Sequence, residues 1–234
     1  MEVIRFIAEG VVNSFRRIET ATYQNTELTP KKTHIAGMIT NILGKGEKFY
    51  YDDLLPQIKI GVVPLNLENI FVDLWQYKKW KTANQGRAIV KREKLYHAKY
   101  KIYIWVPEGY KKDILEALKR PKRSPSLGMD DELIIIKDIS EVNINKVEKD
   151  KKRRIHSIFP ENWVFKYIFS IHLRENNLII PPRVSSAVLK FERGPPRRAL
   201  ETLRIVEFFG GDCTGEVKKD GILYESNGEN IVMW

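Results

Sequence analysis

The sequence predicts an α+β fold, with a four-stranded antiparallel sheet carrying two helices on one face. Three observations predict it. Over residues 1–144, segments of strand period and helix period follow one another as strand, helix, strand, strand, helix, strand. That is the split βαβ order, βαββαβ, of ferredoxin-like (RRM-like) domains. A stretch rich in aromatic and basic residues, 67–97, interrupts the order between the second and third strands and reads as an inserted thumb or hairpin arm. Beyond it, residues 145–234 carry short apolar stretches split by Gly, Pro and Asn, which predict a small β-rich C-terminal part.

Residues 2–9 (EVIRFIAE) are rich in Val, Ile and Phe and read as the first strand. A polar stretch without sustained period, 13–29, follows as a long loop, and loops of that length are often functional. The first helix has Thr29 as its predicted N-cap and Pro30 at its first position. Ile35, Met38, Ile39, Ile42 and Leu43 recur at helical spacing, and Gly44 and Gly46 end the run. Gly37 costs roughly 1 kcal/mol against Ala in mid-helix, so close packing against a sheet is expected there. Residues 57–65 and 98–106 read as the second and third strands. Tyr110, Ile114, Leu115 and Leu118 line one face of a second helix, which stops before Pro121. The basic turn KRPKR (119–123) then leads through Pro125 to Gly128 and a fourth strand at 133–139. In the C-terminal part the apolar stretches are 163–173, 178–180, 184–192, 203–209 and 222–225.

Lys and Arg number 40 against 30 Asp and Glu, a net charge of +10. Such an excess favours an anionic partner through counterion release and long-range attraction. Apolar runs far shorter than a membrane span and an N-terminus unlike a signal peptide predict a soluble cytoplasmic protein. Cys213 is the single cysteine, and four scattered histidines show no metal-ligand spacing, so neither a disulfide nor a cofactor is expected.

Phosphate-loop, nucleophile-elbow and metalloprotease motifs are absent, and Gly210-Gly211-Asp212 reads as a turn. Tyr96, His97 and Lys99 have the residue types for metal-free RNA cleavage, but a polar strand edge explains them as well. Arg16, Arg17 and Tyr23 in the first loop, with His34 at the helix start, have the chemistry to clamp a nucleotide by forked phosphate contacts and base stacking. The arm sets Lys78, Lys79, Trp80, Arg87 and Arg92 among its aromatics. That pattern suits single-stranded RNA or a subunit interface. The run Lys149 to Arg154 reads as a solvated linker.

The first loop and helix, SFRR…ETATYQNTELTPKKTHIAGMITNILG, resemble the opening of the CRISPR-associated RAMP proteins of the fifth Cas family. Arg92-Glu93-Lys94-Leu95 resembles that family's R-x-E-x-L segment before a strand, and Ser124 to Gly128 its P-x-LG turn. The resemblance covers residues 1–140 and implies a ferredoxin-like RNA-recognition domain with a thumb. It also implies a non-catalytic subunit of a type I interference (Cascade) complex, of archaeal subtype A or B character. Such a subunit holds the 5′ handle of crRNA and packs against the backbone subunit, near the large subunit. Ser126 and Gly128 join the RNA-binding candidates on this basis. A metal-independent endoribonuclease that processes pre-crRNA, and a general RNA-binding protein outside CRISPR, are the alternatives.

Overall fold

Alternation in β1 (Glu2–Asn13) gives the sheet two buried faces: Ile4, Phe6 and Ala8 enter one apolar cluster, and Val3 another. The computed structural model describes residues 1–17, 20, 23–78, 86–147, 152–193, 198–218 and 222–234, apart from the side chain of Phe165. After β1 come α1 (Lys32–Ile42), β2 (Lys59–Asn66), β3 (Asn69–Lys78), β4 (Arg87–Trp105), α2 (Glu108–Lys119) and β5 (Ile134–Asn143). The C-terminal half holds β6 (Arg153–Ile155), β7 (Val164–Ile171), β8 (Ile180–Phe191), β9 (Ala199–Phe209), β10 (Gly211–Val217), β11 (Leu223–Ser226) and β12 (Glu229–Val232). This is an α+β fold, with few helices about a mixed, mainly antiparallel sheet.

The strands of the main sheet lie in the order β5-β1-β4-β2, with Ile4 opposite Ile104 and Ile60 opposite the same residue. Ile35 and Ile39 of α1 and Ile114 of α2 pack on the face that holds Phe6, Tyr100 and Ile102. On the other face Val63 and Tyr103 meet Ile231 and Met233 from the C-terminal hairpin β11–β12. Asn227 and Gly228 turn that hairpin with positive φ, as a tight two-residue connection requires. A Cβ on Gly61 would lie 2.6 Å from Ile231, so only glycine lets the hairpin reach the sheet. Trp234 then exchanges backbone hydrogen bonds with Ile60, both at 3.0 Å.

The arm is a hairpin that grows out of the sheet itself. β3 and the first half of β4 form a hairpin, Phe71 opposite Lys94 through Lys78 opposite Arg87. The same β4 runs on without a break as a central strand of the sheet. Its 19 residues span about 60 Å at the usual rise per residue. Leu95 and Ala98, three apart, lie in one apolar cluster, so the alternation slips at His97, whose φ is +49°.

The start of α1 differs from expectation. Lys31, not Thr29, is the N-cap, and Lys31 N–H donates to His34 Nδ1 at 3.1 Å. Thr29 faces Glu207 of β9 instead. Glu207 is wholly buried and accepts hydrogen bonds from Leu28 N–H (3.0 Å), Thr29 N–H (3.2 Å) and the Thr29 hydroxyl (3.0 Å). Lys31 Nζ lies 2.6 Å away and Arg183 Nε 3.2 Å. Burial alone would raise this carboxyl, but the two cations outweigh it and hold it well below the usual carboxylate range. One apolar cluster contains both Ile4 and Phe208, so the expected boundary after residue 144 does not divide the core.

Two predictions follow the buried charge. Glu207→Ala strands Lys31 without its partner and should cost about 3–5 kcal/mol in urea unfolding. Burial, then the neighbouring Glu207, raises Glu27 from 4.5 to about 7, while Arg17 lies 3.3 Å from it. Between those two values the unfolded carboxyl ionises while the folded one keeps its proton, so stability falls as pH rises through that window. Glu27→Gln removes this fall. Its Tm should gain on wild type as pH rises from 4.5 to 7 and hold a constant difference above that.

Candidate nucleic-acid interface

The first loop folds back on itself: Phe15–Arg16 pairs antiparallel with Thr26–Glu27, and Phe15 N–H donates to Thr26 Oγ1 at 2.8 Å. Phe15 is buried between His34 (centroids 5.1 Å) and Tyr100 (6.0 Å), which fixes the loop against α1. On its other side, Tyr23–Gln24 pairs parallel with Lys91–Arg92 of β4. Glu93 accepts from Asn25 Nδ2 (3.0 Å), Thr26 N–H (3.1 Å) and the Tyr23 hydroxyl (3.4 Å). The loop and the arm are therefore one unit.

The turn after α2 is tied in from three directions. Asn41 Nδ2 donates to Ser124 O at 2.9 Å, and Asn13 Nδ2 to Leu127 O at 2.7 Å. Glu132 accepts from Ser14 N–H (2.7 Å) and the Ser14 hydroxyl (2.6 Å), with Lys94 at 3.4 Å. Gly128 has φ +117°, and a Cβ there would come 2.1 Å from Glu132 Oε2. Glycine alone lets the turn close over Ser14.

Between α1 and this turn lies a cleft of about 530 Å³. His34, Gly37, Asn41, Lys45, Arg123, Ser126 and Gly128 line it. Lys45 and Arg123 bring cations to the lining, and Glu47 and Asp130 bring carboxylates. Burial, then the charge of Lys31, pushes His34 down to about 4, so its imidazole is neutral at physiological pH and already accepts from Lys31 N–H. Gly37 does not pack closely against the sheet as expected: a Cβ there meets nothing within 4 Å. Its bare backbone is cleft floor, where a ligand can approach closely.

A family model described as CRISPR-associated protein (Cas_Cas5) matches residues 3–193. The chain belongs to this family. Among solved structures it is similar to a CRISPR protein from Archaeoglobus fulgidus, at 13% identity over 99% of each chain with a TM-score of 0.60. It is also similar to a chain of a CRISPR RNA-guided surveillance complex, at 17% identity over 92% of this chain and 91% of that one, with a TM-score of 0.55. No curated protein matches the sequence. At these identities the likeness establishes the shared fold.

Within this family member the sequence-derived candidates fall into three places. His34, Ser126 and Gly128 meet at the α1 cleft. Arg16, Arg17, Tyr23 and Arg92 lie at the junction of loop and arm. There Arg16 is exposed and donates to Thr20 O at 3.3 Å. Arg92 is 6% exposed, donates to Gln24 Oε1 at 2.8 Å and lies 4.4 Å from the Trp75 ring centre, so it braces the junction. Lys78 and Arg87 pair near the arm tip, while Lys79 and Trp80 lie outside the described residues. Lys45, Asn41 and Gly37 were missed by sequence reasoning; the mid-helix glycine was their signal, and Arg123 was visible only as part of a basic turn.

Because Gly37 meets open space in a helix interior, Gly37→Ala should stabilise the fold by about 0.5–1 kcal/mol, read from its urea midpoint. A loss of stability would show that the floor is packed after all.

Proposed function

We propose that this protein is a non-catalytic RNA-binding subunit of a type I CRISPR interference complex and that it holds the 5′ handle of crRNA. One observation carries the reading: in a member of this family, the α1 cleft combines an open glycine floor with Lys45, Arg123 and the neutral His34. Cations meet phosphates, and a bare backbone admits a sugar or base. The strand order β5-β1-β4-β2, with both helices on one face, supports the ferredoxin-like reading of residues 1–144.

The arm supports assembly. Val72, Leu74 and Ile89 share one face of the hairpin by register and are 48%, 65% and 65% exposed. An apolar strip so placed suits burial against another protein. We assign it to the backbone subunit, with the large subunit nearby. The similar chain from a surveillance complex agrees with such a setting.

The residues of the cleavage alternative are engaged within the fold. His97 stacks on Tyr96 at 4.2 Å and contacts Glu68 at 3.1 Å, and Lys99 lies 3.6 Å from Glu9. We assign them no part in cleavage.

Labelled repeat-containing RNA, mixed with the protein in EDTA, should shift on a native gel and stay intact on a denaturing gel. Joint replacement Lys45→Ala and Arg123→Ala should weaken binding about tenfold or more, with Tm unchanged. Wild-type affinity in that variant would sink the cleft assignment. Cleavage lost in His97→Ala would replace the non-catalytic reading with the endonuclease one.

A further inference from the structure

The face of the sheet opposite α1 carries a second set of polar side chains. Three of the four histidines, His97, His156 and His172, line two adjoining clefts of about 370 and 260 Å³. Leu65 and Arg174 belong to both clefts, so the two form one groove.

The larger part runs beside Glu9 and Lys99 on the open face of β1 and β4. The smaller is assembled from β6, the segment after β7, and the start of β10. Asp212, 7% exposed, receives Arg154 Nε and lies 2.7 Å from His172 Nε2, while Arg154 Nη2 is 3.0 Å from that same ring nitrogen. His172 N–H donates to Gly210 O at 2.7 Å, and Asn177 Oδ1 accepts from Leu67 N–H at 3.1 Å. These contacts fix the segment that carries Arg174. His156 Nδ1 accepts from Asn230 N–H at 2.9 Å. The proton of its ring is therefore on Nε2, a donor.

Charge decides what the groove can hold. Three of the four carboxylates lining it are paired with a Lys or Arg: Glu9 with Lys99 and Lys137, Asp212 with Arg154, and Glu229 with Lys101, while Glu68 contacts the His97 ring. Arg174 is exposed, and among the described residues it has no hydrogen-bond or ion-pair partner. A planar fork of donors without a partner, flanked by a second arginine and an imidazole N–H, is suited to a phosphate oxygen pair.

We propose that this groove is a second nucleic-acid site, which takes the phosphodiester backbone of a single strand with Arg174 as its principal contact. It lies on the opposite sheet face from the α1 cleft and does not depend on that cleft's assignment. Single-strand grooves of this kind use cations along the backbone with imidazole or aromatic faces beside them, as Lys99, Arg174 and Arg154 stand here beside His97 and His172.

The test uses the full chain and a short labelled single strand, made as RNA and as DNA of one sequence, in anisotropy titrations over a range of salt. Arg174→Ala should weaken binding about fivefold to tenfold and lower the slope of log K against log salt by about 0.7. Arg174→Lys should recover part of the loss, and Tm should not move, because the side chain is exposed. Loss with RNA alone, or with DNA alone, names the strand; loss with both assigns the contact to the backbone. Lys112→Ala, on the exposed side of α2, serves as the charge control. Wild-type affinity in Arg174→Ala, or an equal loss in Lys112→Ala, overturns the proposal. A weakened Arg174→Ala beside an unchanged Lys45→Ala, Arg123→Ala protein would overturn the α1 cleft and leave this groove standing.

Discussion

A carboxylate with no access to water must be matched on every side, and Glu207 is matched by groups from both halves of the chain. Leu28, Thr29 and Lys31 reach it from the entry to α1, and Arg183 from β8. Removing two charges from solvent is costly, and attraction at close range offsets that cost only when the geometry is good. The requirement fixes where the chain enters α1. It therefore fixes His34, Gly37 and the cleft they line. It also fastens the C-terminal strands to the first loop, which is why the chain does not divide after residue 144. Burial, then the charge of Glu207, raises Glu27 beside it to about 7.

β4 gives the molecule its length. Its inner half is a central strand, and its outer half belongs to a hairpin that pairs with β3 and with Tyr23–Gln24. The slip at His97 lets both halves present apolar residues to one core although their alternation is out of phase. Glu93 and Arg92 hold the first loop against the outer half. A partner that grips the arm thus touches an element continuous with the sheet and tied to the loop beside the α1 cleft.

What could be read from the sequence was local. The apolar period of α1 and α2, and the alternation of the sheet strands, placed those elements within a few residues, except that β4 begins at Arg87 rather than at 98. What could not be read was set by distant partners. Thr29 looks like an N-cap, but its hydroxyl is claimed by a carboxylate 178 residues away. Arg92 looks like a free cation in a basic stretch, yet the Trp75 ring and Gln24 enclose it. Gly37 looks like a point of close packing, but the space beside it is open rather than filled by the sheet. β10 and β12 were missed because Gly, Asp and Asn interrupt their apolar pattern. Arg154, His172, Arg174 and Asp212 come together from three separate segments, so no spacing announces them.

The arm also constrains how relatives of this chain can vary in length. Facing residues of β3 and β4 project to the same side, so Val72, Leu74 and Ile89 share one surface while Trp75 and Arg92 occupy the reverse. A single residue gained or lost in the middle of either strand would transpose those surfaces beyond that point. It would turn the apolar strip toward the side that now holds the brace. Drift in arm length is therefore tolerated as matched additions at the tip, or as a bulge that absorbs the odd residue, and homologous arms should differ in reach far more readily than in handedness.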